Sequence, residues 1–93
     1  MTPEGKVKNL VKKLFEKYDY LYYHMPVQSG YGAPSLDFIC CHMGRYFAIE
    51  TKAPGKQLTP RQEITVSGIK AAGGAVFVVD GPESLKEVEQ WLN

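Results

Sequence analysis

Two strand-like runs, Leu36 to Cys41 and Arg45 to Lys52, are separated only by His42-Met43-Gly44. So short a connection predicts an antiparallel hairpin with Met43 and Gly44 as the two central turn residues. Gly44 supplies the positive φ that a type II or I′ turn requires at its position. The turn fixes the register: Cys41 opposite Tyr46, Ile39 opposite Ala48, Asp37 opposite Glu50. A three-residue turn would shift it.

This register sets two carboxylates against each other on one face, with Cβ atoms about 4.5–5.5 Å apart, a destabilising arrangement for like charges. Lys52 shares that face with Glu50, because strand side chains repeat every two residues. Two readings account for the cluster. Hard oxygen ligands suit Mg²⁺ or Mn²⁺, which would remove the repulsion, and the lysine would then stabilise charge on a reacting phosphate. Alternatively, Lys52 forms a structural ion pair with Asp37 or Glu50 at a sheet end.

The rest of the chain alternates helix and strand. Thr2 caps a helix with Pro3 at its first position, and Val7, Leu10, Val11, Leu14, Phe15 and Tyr18 follow at helical spacing to about Tyr18. Tyr20 to Met25 reads as a strand, and Pro26 through Pro34 as a loop. Thr59-Pro60-Arg61-Gln62 is a capping box opening a helix that runs to Gly73-Gly74. Ala75 to Val79 is wholly apolar, as a strand covered on both faces would be. A last helix carries Leu85, Val88 and Leu92 on one side. The order predicts an α/β fold, a mixed sheet with helices on both faces.

Ninety-three residues, 44% hydrophobic and 23% charged, predict a single domain over residues 1–93 with one core and no separate cofactor-binding domain. No apolar run approaches the roughly 18 residues of a membrane span, and the charged N-terminus does not read as a secretory signal. With no cysteine besides Cys40 and Cys41, a disulfide scaffold and a cysteine zinc site are excluded. Adjacent Cys40 and Cys41 on a strand point to opposite faces, which argues against a disulfide between them. They read as two small core residues of an intracellular protein. Net charge is only +1, yet seven of the eleven basic residues lie at Lys6, Lys8, Lys12, Lys13, Lys17, Lys52 and Lys56. That distribution fits a polyanion on one side, or a solvated helix face. His24 and His42 do not suggest a ligand pair, and His42 reads as a turn residue.

The segments Gly30-Tyr31-Gly32, Asp37-Phe38-Ile39-Cys40-Cys41, Gly44-Arg45-Tyr46-Phe47-Ala48-Ile49-Glu50-Thr51-Lys52 and Leu58-Thr59-Pro60-Arg61-Gln62 together resemble the VRR-NUC (virus-type replication-repair nuclease) domain. That domain belongs to the PD-(D/E)XK nuclease superfamily, whose signature is D-(x)n-E-x-K. The resemblance covers roughly Pro3 to Val79. It departs at Leu36, where the family usually has proline immediately before the aspartate.

The resemblance implies a restriction-endonuclease-like αβββαβα core and a Mg²⁺- or Mn²⁺-dependent DNA endonuclease. Branched DNA, such as a Holliday junction, or plain duplex would be its substrate, and a homodimer its working form. No small-molecule cofactor is implied, and the compartment would be the cytoplasm, or the host cytoplasm if the chain is virus-encoded. Asp37, Glu50 and the backbone carbonyl of Thr51 would hold the metal, and Lys52 would be the catalytic lysine. Gln62 would lie near the scissile phosphate, although position N3 of a capping box also explains a glutamine. Glu4 would complete the metal shell directly or through water, although a first-turn acid also suits the helix dipole. Lys6, Lys13, Lys56, Arg61 and Lys70 are candidate phosphate contacts, with Gln28, Ser29 and Tyr31 on the loop entering the acidic strand. A non-catalytic nucleic-acid-binding or structural module on the same fold is the alternative.

Overall fold

Both expected N-caps form. In the computed structural model, which describes residues 1–27 and 35–93, Thr2 Oγ1 accepts the Gly5 N–H at 3.0 Å and opens α1 (Pro3–Phe15). Thr59 opens α2 (Pro60–Ala71) with a complete capping box. Its Oγ1 accepts the Gln62 N–H at 3.2 Å, while Gln62 Oε1 accepts the Thr59 N–H at 3.0 Å. Proline at the first helical position costs no hydrogen bond, because that N–H has no intrahelical partner. A third helix, α3 (Pro82–Leu92), starts at Gly81 without a side-chain cap.

The strands are β1 (Leu21–His24), β2 (Phe38–His42), β3 (Arg45–Thr51) and β4 (Ala75–Val79). They lie in the order β1-β2-β3-β4, antiparallel except for the β3–β4 pair, which is parallel. The chain is therefore α/β with a mixed sheet, in the order αβββαβα. The hairpin has the expected register, with Cys41 opposite Tyr46 and Ile39 opposite Ala48. Met43 at φ 52° and Gly44 at φ 79° are both left-handed, the requirement of a type I′ turn whose twist matches that of its strands.

Alternation along β2 and β3 divides the core. Phe38, Cys40, Phe47 and Ile49 pack with Val7, Val11, Leu14 and Phe15 of α1 and with Val88 and Leu92 of α3. Ala48 and Val76 pack instead with Leu36 and with Val66 of α2. Phe15 anchors the first cluster, meeting Phe38 and Phe47 edge-on with ring centroids 6.0 Å apart, a favoured aromatic geometry.

The apolar run Ala75–Val79 packs on both faces, Val76 with the α2 cluster and Phe77 and Val79 with the α1–α3 cluster, although it lies at the sheet edge and Val78 on it is exposed. Three expectations change. Cys40 is buried and Cys41 exposed, so strand alternation holds but only one of the two is a core residue. Burial pushes the Cys40 thiol up to about 12. His42 closes β2 opposite Arg45 rather than sitting in the turn. The ladder ends at Phe38 opposite Ile49, so Asp37 lies just outside the strand.

Candidate metal and phosphate site

β3 delivers Glu50, Thr51 and Lys52 to its carboxyl end, beside the entry into β2 and the first turns of α1 and α2. Glu50 is only 4% exposed, and Thr51 is fully buried. A carboxylate that deep requires partners. Glu50 Oε1 accepts the Asp37 backbone N–H at 3.2 Å, and Oε2 accepts from Gln62 Nε2 at 2.8 Å. Burial, then the charge of Asp37, pushes the Glu50 carboxyl up from 4.5 to about 7.

The expectation that the Asp37 and Glu50 carboxylates stand directly opposed on one face is corrected here. Because Asp37 lies outside the ladder, its side chain reaches along the strand end to the next residue. Asp37 Oδ2 accepts both the Thr51 N–H at 2.9 Å and the Thr51 hydroxyl at 2.7 Å. The two acids remain close enough for Asp37 to disfavour the charge on Glu50, but the first is fixed by Thr51 and the second by Gln62.

Lys52 Nζ lies 4.0 Å from Glu50 Oε2, and its side chain is only 12% exposed. That separation is too long for a hydrogen bond. On α1, Glu4 is reached by Lys8, whose Nζ lies 2.9 Å from Glu4 Oε2 and 3.8 Å from Asp37 Oδ2. Asp37, Glu50, Thr51, Lys52, Gln62 and Glu4, six positions expected from the sequence, therefore form one connected cluster. Lys8 belongs to it and was not among the expected site residues. The signal was available in the spacing: Glu4 and Lys8 are four apart on a helix and face each other.

The basic candidates separate. Arg61 is beside Gln62 in the first turn of α2, and Lys56 lies in the segment between β3 and α2; both are exposed. Lys6 is exposed near Glu4 on α1. Lys13, by contrast, lines a groove with Leu85 and Glu89 of α3. Lys70 is at the far end of α2, about 12 Å along the axis from Gln62 at 1.5 Å per residue. Gln28, Ser29 and Tyr31 lie outside the described residues.

The residues suit Mg²⁺ or Mn²⁺ by donor type, since every ligating atom on offer is an oxygen. Among the described residues, no three or more acidic, histidine or cysteine side chains form a ready-made cage. Mg²⁺ does not need one, because it commonly takes one or two carboxylates and completes its shell with water and substrate phosphate. A cation bound by Asp37 and Glu50 would also favour the charged form of Glu50, which burial and then the charge of Asp37 disfavour. No protein-family model, curated protein or solved structure matches the chain. The geometry of this cluster is thus what bears on function.

Proposed function

We propose that the chain is a metal-dependent DNA endonuclease of the PD-(D/E)XK type, with the VRR-NUC domain as its relative. One observation carries the reading: Glu50 and Lys52 bring a carboxyl and an amine into a nearly buried position without hydrogen-bonding to each other. A buried ion pair kept for stability needs good contact geometry to offset desolvation. At 4.0 Å this pair lacks it, so a structural ion pair is the weaker account. Charges held apart in a buried site are available to a third party.

Asp37 and Glu50 would hold Mg²⁺ or Mn²⁺, with the Thr51 carbonyl and Glu4 as further oxygen donors. The ion supplies activated water and charge neutralisation at the phosphate. Thr51 fixes the Asp37 carboxylate, and Gln62 together with the Asp37 N–H fixes that of Glu50, so neither acid must reorganise when substrate arrives. Lys52 places a fixed positive charge beside the reacting phosphate, where partial burial strengthens it. Lys56 and Arg61, exposed on the segment into α2 and in its first turn, and Lys6 on α1 would position the DNA backbone without reading sequence.

A homodimer would suit branched DNA, because two-fold symmetry presents two sites to two strands. An intracellular location would fit a DNA substrate; among the described residues no helix is long and apolar enough to cross a membrane. The test is cleavage of a four-way junction, a flap, a nicked duplex and a plain duplex with Mg²⁺ or Mn²⁺, against chelator. Metal-dependent cleavage of any of them supports the reading. Salt-sensitive binding of these DNAs without cleavage supports the non-catalytic module instead.

A further inference from the structure

We propose that Lys8 is a tethered cation that holds Glu4 and Asp37 together in the metal-free protein and competes with the divalent ion for them. The inference rests on the reading of this cluster as a metal site. An ordinary surface pair between residues four apart on a helix would leave the ammonium in water, touching one acid. Here the Lys8 side chain is 24% exposed, and Nζ reaches Asp37 on a different element at 3.8 Å as well as Glu4 at 2.9 Å. Asp37 is also fixed by Thr51, so Lys8 reaches an acid that could not move to meet it.

Charge supports the same conclusion. The partly buried Lys8 ammonium donates to Glu4 Oε2 and lies within ion-pair distance of Asp37 Oδ2. Two carboxylates thus face one lysine, and with Glu50 and Lys52 the cluster holds three acids and two amines. A divalent ion arriving at Asp37 meets an ammonium already there, and the two cations repel each other across a partly desolvated space. Lys8 sets the affinity for metal from outside the ligand set, which makes it a positioning residue and not a catalytic one.

The test is Mn²⁺ affinity, measured by calorimetry or by the electron paramagnetic resonance of free Mn²⁺, on the full chain and on Lys8→Met and Lys8→Arg. Lys8→Met keeps an unbranched side chain one atom shorter and removes its charge. It should bind Mn²⁺ at least tenfold more tightly than wild type, a lower bound set by water-like screening of a unit charge a few ångströms from a divalent ion. In chelator it should melt lower, and its melting point should rise further on adding Mn²⁺. Lys8→Arg keeps the charge and should stay near wild type in affinity. Binding by Lys8→Met alone, with none by wild type, would also support the proposal. Unchanged or weaker binding by a folded Lys8→Met would overturn it while leaving the metal site standing. Absence of Mn²⁺ binding in all three proteins would overturn both.

Discussion

Gln62 holds two positions at once: its Oε1 accepts the N–H of the helix cap Thr59 at 3.0 Å, and its Nε2 donates to Glu50 Oε2 at 2.8 Å. The amide is a bridge between the start of α2 and the buried carboxylate. The capping and site explanations of this glutamine are therefore not alternatives. Fixing the amide oxygen on Thr59 leaves only the NH₂ group to face Glu50, which selects the orientation a carboxylate needs.

Thr59→Ala and Gln62→Ala should separate the two roles. Thr59→Ala removes the hydroxyl cap and should cost about 1 kcal/mol of stability, with Mn²⁺-dependent cleavage largely kept. Gln62→Ala should cost at least as much and also lower cleavage, because Glu50 Oε2 loses its donor. Melting curves and cleavage rates on the same samples check this. Equal cleavage by the two variants would deny Gln62 its link to Glu50.

Glu50 predicts a pH dependence of definite sign. Its carboxyl sits at about 7 in the fold against 4.5 unperturbed, so between those values the folded protein holds a proton that the unfolded chain has lost. Stability falls with pH wherever the folded state binds more protons. The contribution of this group is therefore full below about 4.5 and lost as pH rises through about 7. In chelator, wild type should lose stability across that window relative to Glu50→Gln, which has no such proton. Mn²⁺ favours the charged carboxylate and should flatten or reverse the difference. Parallel curves for the two proteins would contradict the burial and charge account of Glu50.

Asp37→Asn tests the Thr51 bonds. Opposed charges alone would make this substitution stabilising without metal. The carboxylate, however, takes both the N–H and the hydroxyl of Thr51 and faces Lys8. Hydrogen bonds to charged groups contribute about 1.5–3 kcal/mol, so Asp37→Asn should be destabilised in chelator by an amount of that order. Wild type should gain about 2.7 kcal/mol when Mn²⁺ is at 100 times its Kd, and the variant should lose most of that gain. Four melting points, two proteins with and without Mn²⁺, give the answer.

DNA binding should follow the placement of the basic side chains. In Ca²⁺, affinity should fall steeply with salt, and each lost phosphate contact should reduce the log–log slope by about 0.9 for duplex DNA. Lys56→Glu and Arg61→Ala, on the segment into α2 and in its first turn, should weaken all DNAs similarly. Lys13→Ala and Lys70→Ala should change little, since one lysine lies against α3 and the other at the far end of α2. A larger effect from Lys13 or Lys70 would place the DNA elsewhere.

The hairpin register was legible because Met43-Gly44 permits one tight turn, and that turn aligned Ile39 with Ala48. The α2 start was legible because Thr59 and Gln62 carry a reciprocal pair of hydrogen bonds in their spacing. The direction of the Asp37 side chain was not, because it depends on where the ladder stops, and the alternating pattern continues past Phe38 while the pairing does not. Nor was the edge position of β4 legible, since the apolar run Ala75 to Val79 reports coverage of its faces and says nothing of a neighbour on each side. Lys8 was hidden differently. Its contact with Glu4 is local and readable, whereas its contact with Asp37 arises only when α1 packs across the sheet.

The most direct test of the metal-dependent nuclease is cleavage by wild type, Glu50→Gln and Lys52→Ala in Mn²⁺, with Mn²⁺ affinity measured on the same preparations. Wild type should cleave DNA only with the ion. Each variant should lose about 10²-fold or more, the scale seen when one transition-state contact is removed. Metal binding should weaken in Glu50→Gln and persist in Lys52→Ala, since of these two residues Glu50 alone is proposed as a ligand. Cleavage near the wild-type rate by both variants, or no Mn²⁺-dependent cleavage by wild type, would contradict it.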